Sequence, residues 1–326
     1  MVPEDFETHG LVDALVDHEE LHKRLCTLAQ VDDIKKVHLV PLADYVDAKV
    51  TNGASRDQVA VIYADGEIVE GDEMTEVAAD RFVRLIEKVH KDKNVKAVVL
   101  RVNSPGGSVS ASVKIRTALD NLMADKPLVA SYGDYAASGG YWISSGCQKI
   151  YADATCITGS IGVFSMIPEF SQVAKKVGVG IETVGSNKHS DMLSLMRPFD
   201  AAETAYMQAS VEDIYELFVN LVATSRGKSV EEVDAIAQGR VWAATDALQI
   251  GLVDEIGSLE DAISYAAAMA DLTSSDAYSV VGYPAPPSFL QQIMDQFGGG
   301  SQDISVFLNY EPGRMYARIP WDYKIR

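Results

Sequence analysis

Cysteine is scarce in this chain of 326 residues, and basic residues are outnumbered by acidic ones. Only Cys26, Cys147 and Cys156 occur, with neither a metal-type spacing nor an even-numbered set for a disulfide framework. Cys147 and Cys156 flank an expected strand and read as small core residues. The 28 Lys and Arg against 47 Asp and Glu leave a net charge of -19. That balance argues against nucleic acid, because a phosphate-binding surface needs clustered cations, and it disfavours direct adsorption to an anionic membrane. No run approaches the roughly 18 uninterrupted apolar residues of a membrane span, and residues 1–30 are too acidic for a signal peptide. The chain is then either cytoplasmic or preceded by an export and anchoring region outside it.

What is present is an alternation of strands and helices. The main domain is expected over 58–272. VAVIYADGEIV (59–69) reads as a strand pair around an Asp65-Gly66 turn. A helix over 74–91 leads to a strand at 95–103, and a helix over 108–124 to a strand at 127–132. Further strands are expected at 149–154 and 181–186, with helices over 168–177 (stopped by Gly178) and 201–226 (stopped by Gly227). Several strands are continuously apolar, which predicts a parallel sheet covered by helices on both faces.

Residues 10–29 (GLVDALVDHEELHKRLCTLA) resemble residues 251–270 (GLVDEIGSLEDAISYAAAMA). Both read as a short Gly-Leu-Val-Asp strand entering an amphipathic helix. A unit that closes a domain near residue 270 thus also appears at residue 10, so residues 1–57 are expected to be the tail of a preceding repeat plus a linker. Residues 273–326 carry Pro284, Pro286, Pro287 and Gly298 to Gly300, the marks of a loosely ordered extension whose Tyr316, Trp321 and Tyr323 pack on this or a neighbouring protein.

The chemistry concentrates in SYGDYAASGGYWISSG (131–146), where Ser138 sits among small residues as a buried strand gives way to a helix. Small neighbours expose the hydroxyl, and a helix start offers unpaired N–H groups to a developing anion. The same residues are ordinary helix-start and turn formers, so this segment alone leaves catalysis open. VLRVNSPGGSV (99–109) ends another buried strand in a turn whose Gly106 and Gly107 can aim N–H groups outward. Gly107 precedes Ser138 by one βαβ repeat, a spacing that can place both at adjacent strand ends.

A serine nucleophile needs a base. Lys188 follows the expected 181–186 strand, which can carry its amine back over the strand ends. As a base it must be held neutral against an ordinary pKa of about 10.4. Otherwise it is a solvated loop charge. His189 titrates more conveniently, but Asp191 is poorly placed to orient it. The His18-Glu19-Glu20-Leu21-His22 run matches the H-E-x-x-H zinc pattern. Its histidine slots are Leu259 and Ile263 in the second copy, however, and no third ligand follows. The residues call for no metal and no cofactor.

Taken together, VLRVNSPGGSVSAS, GDYAASGGYWIS, ITGSIGVF and IAQGRVWAATDALQIGLVDEIG resemble the signal peptide peptidase A family of serine peptidases, in the family's order and over about two thirds of the chain. The resemblance implies an α/β fold of the ClpP/crotonase type, a spiral of βαβ units with a parallel sheet. It implies a Ser/Lys dyad cleaving remnant signal peptides, extended peptide substrates, homo-oligomeric rings (a tetramer or an octamer) and association with the outer face of the inner membrane through an N-terminal anchor. On this resemblance Ser138 is the nucleophile, Gly107 and Gly139 are the oxyanion donors, and Lys188 occupies a lysine-base position. The leading GLVDALVDHEEL looks like the end of the first half of a long tandem form, whose lysine lies in that first half. Two other readings stay open. One is an incomplete half or scaffold that borrows its lysine, and the other is a crotonase-type acyl-CoA enzyme on the same fold.

Overall fold

The computed structural model describes residues 2–41, 45, 55–74, 76–274, 276–284 and 316–318, the last by backbone alone. Two compact units emerge, Met1–Asn52 and Gly53–Arg326. In the first, helix α1 (Pro3–Thr8) precedes α2 (His18–Ala29). The Asp17 carboxylate caps α2 by accepting from the Glu20 N–H at 2.7 Å. Its counterpart in the second copy is Ser258, which caps the helix Leu259–Met269 in the same way. The two copies therefore share a cap and a helix, while Gly-Leu-Val-Asp is not a strand in either. His18 is exposed on α2, with its ring centroid 3.9 Å from that of His22.

The second unit is built on β1 (Gln58–Asp65), β2 (Ile68–Val69), β3 (Val77–Ala78), α3 (Ala79–Lys91), β4 (Val95–Ser104), β5 (Gly106–Ser108), α4 (Val109–Met123), β6 (Leu128–Ala137) and α5 (Gly139–Ser144). It continues through β7 (Lys149–Ala152), β8 (Ile157–Gly159), α6 (Ser171–Lys176), α7 (Ala201–Arg226), α8 (Val230–Ile236), β9 (Val241–Ala243), α9 (Ala244–Gln249), β10 (Glu255–Ile256), α10 (Leu259–Met269), β11 (Ser279–Tyr283) and β12 (Tyr316–Arg318). The main sheet runs β10-β7-β6-β4-β1-β11 with parallel pairing throughout. β8 adds to the end of β6, and β9 pairs antiparallel with β8. A second sheet runs β12-β5-β2-β3.

Alternation along the central strands divides the core. Ala60, Ile62, Val98, Leu100 and Ala130 face the larger hydrophobic cluster, which α3, α4, α5 and α7 complete. Val59, Val61, Ala97, Val99 and Val129 face the opposite side, which Ala262, Ala266 and Ala267 of α10 cover. Both faces are buried, so these strands read as apolar runs without polar alternation.

Four expectations need correction. Asp65-Gly66 does not join a hairpin. Both edges of β1 are taken by β4 and β11, so at Gly66 (φ +103°) the chain leaves for the second sheet. Residues 181–186 form no strand: the place beside β7 belongs to β10, and Ile181 and Val184 stay exposed. The first helix starts at Ala79 rather than residue 74, because Val77–Ala78 is spent on β3. The proline-marked extension is not loose throughout, since β11 pairs with β1 and β12 with β5. Trp321 and Tyr323, expected to pack, lie outside the described residues, and nothing is described of the Tyr316 side chain. The 201–226 helix ends, as expected, at Gly227 in a left-handed cap (φ +62°).

Packing of α5 against α7 rests on Trp142 and Phe218, with ring centroids 4.5 Å apart and Phe218 fully buried. Replacing Phe218 by Ala should cost about 3–5 kcal/mol through lost burial and a residual cavity. Equilibrium denaturation of the variant beside the wild type measures this, and a loss below about 1 kcal/mol would contradict the packing described.

Candidate active site

β4 and β6 are parallel neighbours, with Ser104 registered opposite Ala136, so both end at one edge of the sheet. β5 follows β4 there, and Ser138 follows β6. The spacing between the glycine turn and the serine therefore does what one βαβ repeat allows, placing them on adjacent strand ends.

Ser138 forms the junction of β6 and α5 with φ +53° and ψ -114°, a conformation L-residues adopt at a cost of about 1–3 kcal/mol. The residue is 1% exposed, so the hydroxyl that its small neighbours were expected to expose is buried, and its Oγ has no hydrogen-bond partner among the described residues. Strain and an unsatisfied buried hydroxyl coincide on one side chain. The backbone around it is fully tied: the Ser138 N–H donates to Gly159 O at 2.8 Å, and Ser138 O accepts from Trp142 N at 2.8 Å.

The glycines have separate reasons. A Cβ at Gly140 would lie 2.7 Å from Ser104 O, so the second residue of α5 must be bare for the helix to sit against the end of β4. At Gly107 (φ +155°) a Cβ would stand 2.0 Å from Ile68 O in β2. The Gly106 N–H donates to Ser104 Oγ at 3.2 Å, which already engages one of the two turn amides. Gly139 opens α5, where first-turn N–H groups have no helical acceptor. With six residues α5 has little macrodipole, so what the junction offers an oxyanion is directed N–H groups.

The segment CITGSIGV has a structural task that sequence reasoning did not find. β8 runs beside residues 135–137, Thr158 Oγ1 donates to Ala136 O at 2.7 Å, and Gly159 O receives the Ser138 amide. Ser160 (φ +50°) then donates its N–H to Arg240 O at 2.7 Å, which ties the clasp to the 240–243 segment. Arg116 was missed as well. Its Nη1 donates to Trp142 O and Ser145 Oγ, both at 3.0 Å, and its Nε to Asp120 Oδ1 at 2.7 Å, which fastens the end of α5 to α4. Gly146 was one available signal, because a Cβ there would collide with the guanidinium. Burial pushes the thiols of Cys147 and Cys156 up to about 12, so neither is a nucleophile at neutral pH.

Among the described residues Ser138 Oγ has no hydrogen bond, from Lys188 or from any other group. Lys188 is exposed on the irregular stretch between α6 and α7, and among the described residues its amine takes part in no ion pair. His189 finds an acid, but not the one considered from sequence: its Nδ1 lies 3.2 Å from Oε1 of the buried Glu203, on the first turn of α7. Arg197 grips the same carboxylate and Asp191 together. Its guanidinium lowers Asp191 to about 2 and holds Glu203 far below the usual carboxylate range. His189, Asp200 and Glu203 have the spacing of a metal site, but Arg197 already supplies the cation that Glu203 needs. A cleft of about 670 Å³ opens at the end of β1 among Tyr63, Asp65, Val77, Phe82, Leu85 and Pro284; Ser138 is not among its walls.

Residues 120–273 match the family model for peptidase family S49, and residues 51–154 match that for Clp protease. Over 265 residues the chain is 39% identical to Protease 4 of Haemophilus influenzae, a match covering 80% of this chain and 43% of that protein. The chain thus spans less than half the length of that relative. With a putative protease of Synechocystis sp. it shares 37% identity over 219 residues, 67% of this chain and 76% of that protein. Among solved structures, a mutant form of ClpP1 from Listeria monocytogenes is similar with a TM-score of 0.43 at 15% identity, covering 62% of this chain and 94% of that one.

The geometry of Ser138 generates a stability prediction. Ser138→Gly should relieve the positive-φ strain and remove the unpartnered hydroxyl, a net gain of about 1–2 kcal/mol after the entropy cost of glycine. Ser138→Ala keeps the strain and should gain less. Thermal melts of the three proteins rank them, and a glycine variant less stable than the alanine variant would contradict the strain.

Proposed function

This chain belongs to peptidase family S49, with a ClpP-like α/β fold, and from that premise we propose that it hydrolyses extended peptides with Ser138 as nucleophile. The observation that carries the reading is the Ser138 hydroxyl, strained, buried and unpartnered at the end of a parallel strand. In this reading Ser138 Oγ attacks the scissile carbonyl carbon while a base takes its proton. The carbonyl oxygen becomes an oxyanion facing the N–H groups of Gly107 and Gly139. Collapse breaks the C–N bond, the base returns the proton to the leaving amine, and water then hydrolyses the acyl-serine by the same steps.

The proposed base is Lys188. The stretch that bears it is fastened at its far end by Arg197, Asp191 and Glu203, which leaves 180–190 exposed and able to close on a bound peptide. Closure would bring the amine within reach of the Ser138 hydroxyl, which a general base requires. Remnant signal peptides are the proposed substrates, since segments with small residues suit close approach to strand ends built from glycine. Self-association into a tetramer or octamer belongs to the same reading and is supported by the exposed Met166, Phe170, Val173, Val177, Ile181 and Val184. No helix among the described residues is long and apolar enough to cross a membrane, and membrane association through an N-terminal anchor stays part of the same proposal.

A second reading is favoured by one observation, the exposure of Lys188 without a hydrogen bond to Ser138. In it the lysine comes from outside this chain and Ser138 belongs to a site shared between polypeptides. The two readings differ in the pH–rate profile of the wild type beside Lys188→Met, assayed on a short apolar peptide. With Lys188 as base, the wild-type profile has a rising limb that Lys188→Met abolishes, with a loss of at least about 100-fold in kcat while its melting temperature holds. Undiminished turnover in Lys188→Met would exclude Lys188, and hydrolysis surviving Ser138→Ala would exclude the mechanism.

A further inference from the structure

β2 and β5 meet at a single registered pair, Ile68 opposite Gly107. Glycine-rich strands specify register weakly, and Gly107 has no side chain to limit its torsions, so the direction of its N–H depends on what holds the residues on either side. On one side the Gly106 N–H is held by Ser104 Oγ. On the other the buried Ser108 donates its hydroxyl to Glu70 Oε1 at 3.2 Å, while the same Oγ accepts from the Ala111 N–H at 3.3 Å and caps α4. The second Glu70 oxygen accepts from Lys114 Nζ on α4 at 2.7 Å, and that amine lies 3.6 Å from Asp80 Oδ1 at the start of α3. The Asp80 N–H in turn donates to Gly71 O at 2.9 Å. Glu70 is thus the point at which the end of β2, the residue after Gly107 and two helices are joined.

We infer that Glu70 is a positioning residue for the proposed reaction: through Ser108 it fixes the direction of the Gly107 N–H, and Lys114 holds Glu70 in place. The inference rests on the peptide-hydrolysing reading above, in which that N–H faces the oxyanion. Glu70 acts through Ser108 and is assigned no contact with the reacting atoms. Its ion pair has a half-exposed lysine as partner, and such pairs contribute little to stability. Removing it should therefore show in catalysis and in the local motion of the turn, with the melting temperature held.

The test uses the full chain, with hydrolysis of a short apolar peptide and hydrogen exchange of residues 104–109 as separate readouts. Glu70→Ala should lower kcat by about tenfold or more, the scale of a displaced oxyanion donor, with KM held within about twofold. Glu70→Gln keeps an acceptor for Ser108 and should recover most of that loss. Lys114→Met should lower kcat in the same direction, and it tests the tie even where Glu70→Ala impairs folding. Glu70→Ala combined with Lys114→Met should lose no more than Glu70→Ala alone, because the two residues act in one chain of contacts. In Glu70→Ala the amides of 104–109 should exchange at least about threefold faster, while those of β6 keep their rates. An unchanged kcat, a loss carried by KM alone, a glutamine variant as slow as the alanine variant, additive losses in the double variant, or unchanged exchange at 104–109 would each overturn the inference. If the wild type hydrolyses nothing, the peptidase reading fails, and the exchange rates still decide whether Glu70 holds the turn.

Discussion

The positive-φ backbone at Ser138 can persist only because neighbouring backbones hold it from several sides. β4 ends beside it, close enough that Gly140 must have no side chain. β8 runs along its other flank and takes its amide through Gly159 O. α5 leaves from it and is fixed at the far end by Arg116. Remove any of these and the cheaper course for the chain is an ordinary strand-to-helix turn with the hydroxyl bonded to backbone. The parallel sheet, two glycines, the β8 clasp and the buried arginine together surround the backbone that carries this unbonded hydroxyl.

A contrast in packing follows. The corner sits on a core in which the central strands are buried on both faces, and cores of that kind behave as rigid bodies. The stretch from Met166 to Met196 leaves many apolar side chains in solvent and is secured by one charged cluster near its end. In the proposed reaction the packed corner would carry the nucleophile and the exposed stretch the base. A nucleophile has to be oriented before substrate arrives.

How much of this the sequence disclosed depended on the range of the interactions. The strand-to-helix corner at Ser138, the glycine turn one repeat earlier and the capped 201–226 helix were legible because each is written in adjacent residues. The 181–186 strand was misread because Ile-Glu-Thr-Val has strand propensity, while the sheet position it would need is taken by β10, about 70 residues later. The Asp65-Gly66 hairpin failed for the same reason, since both edges of β1 were already paired. Arg116 and the clasp at Gly159 were invisible because, Asp120 apart, their partners are separated from them by 20 residues or more. Glu203 as the acid beside His189 escaped notice because it lies on the next helix.

The central claim is that the corner presents Ser138 as a nucleophile that a peptide carbonyl can meet. The most direct measurement is boron NMR of a peptide boronate bound to the wild type and to Ser138→Ala. A tetrahedral boron signal in the wild type that reverts to trigonal in Ser138→Ala is the result predicted here. A trigonal signal in both proteins, or a tetrahedral one that survives the substitution, would contradict it.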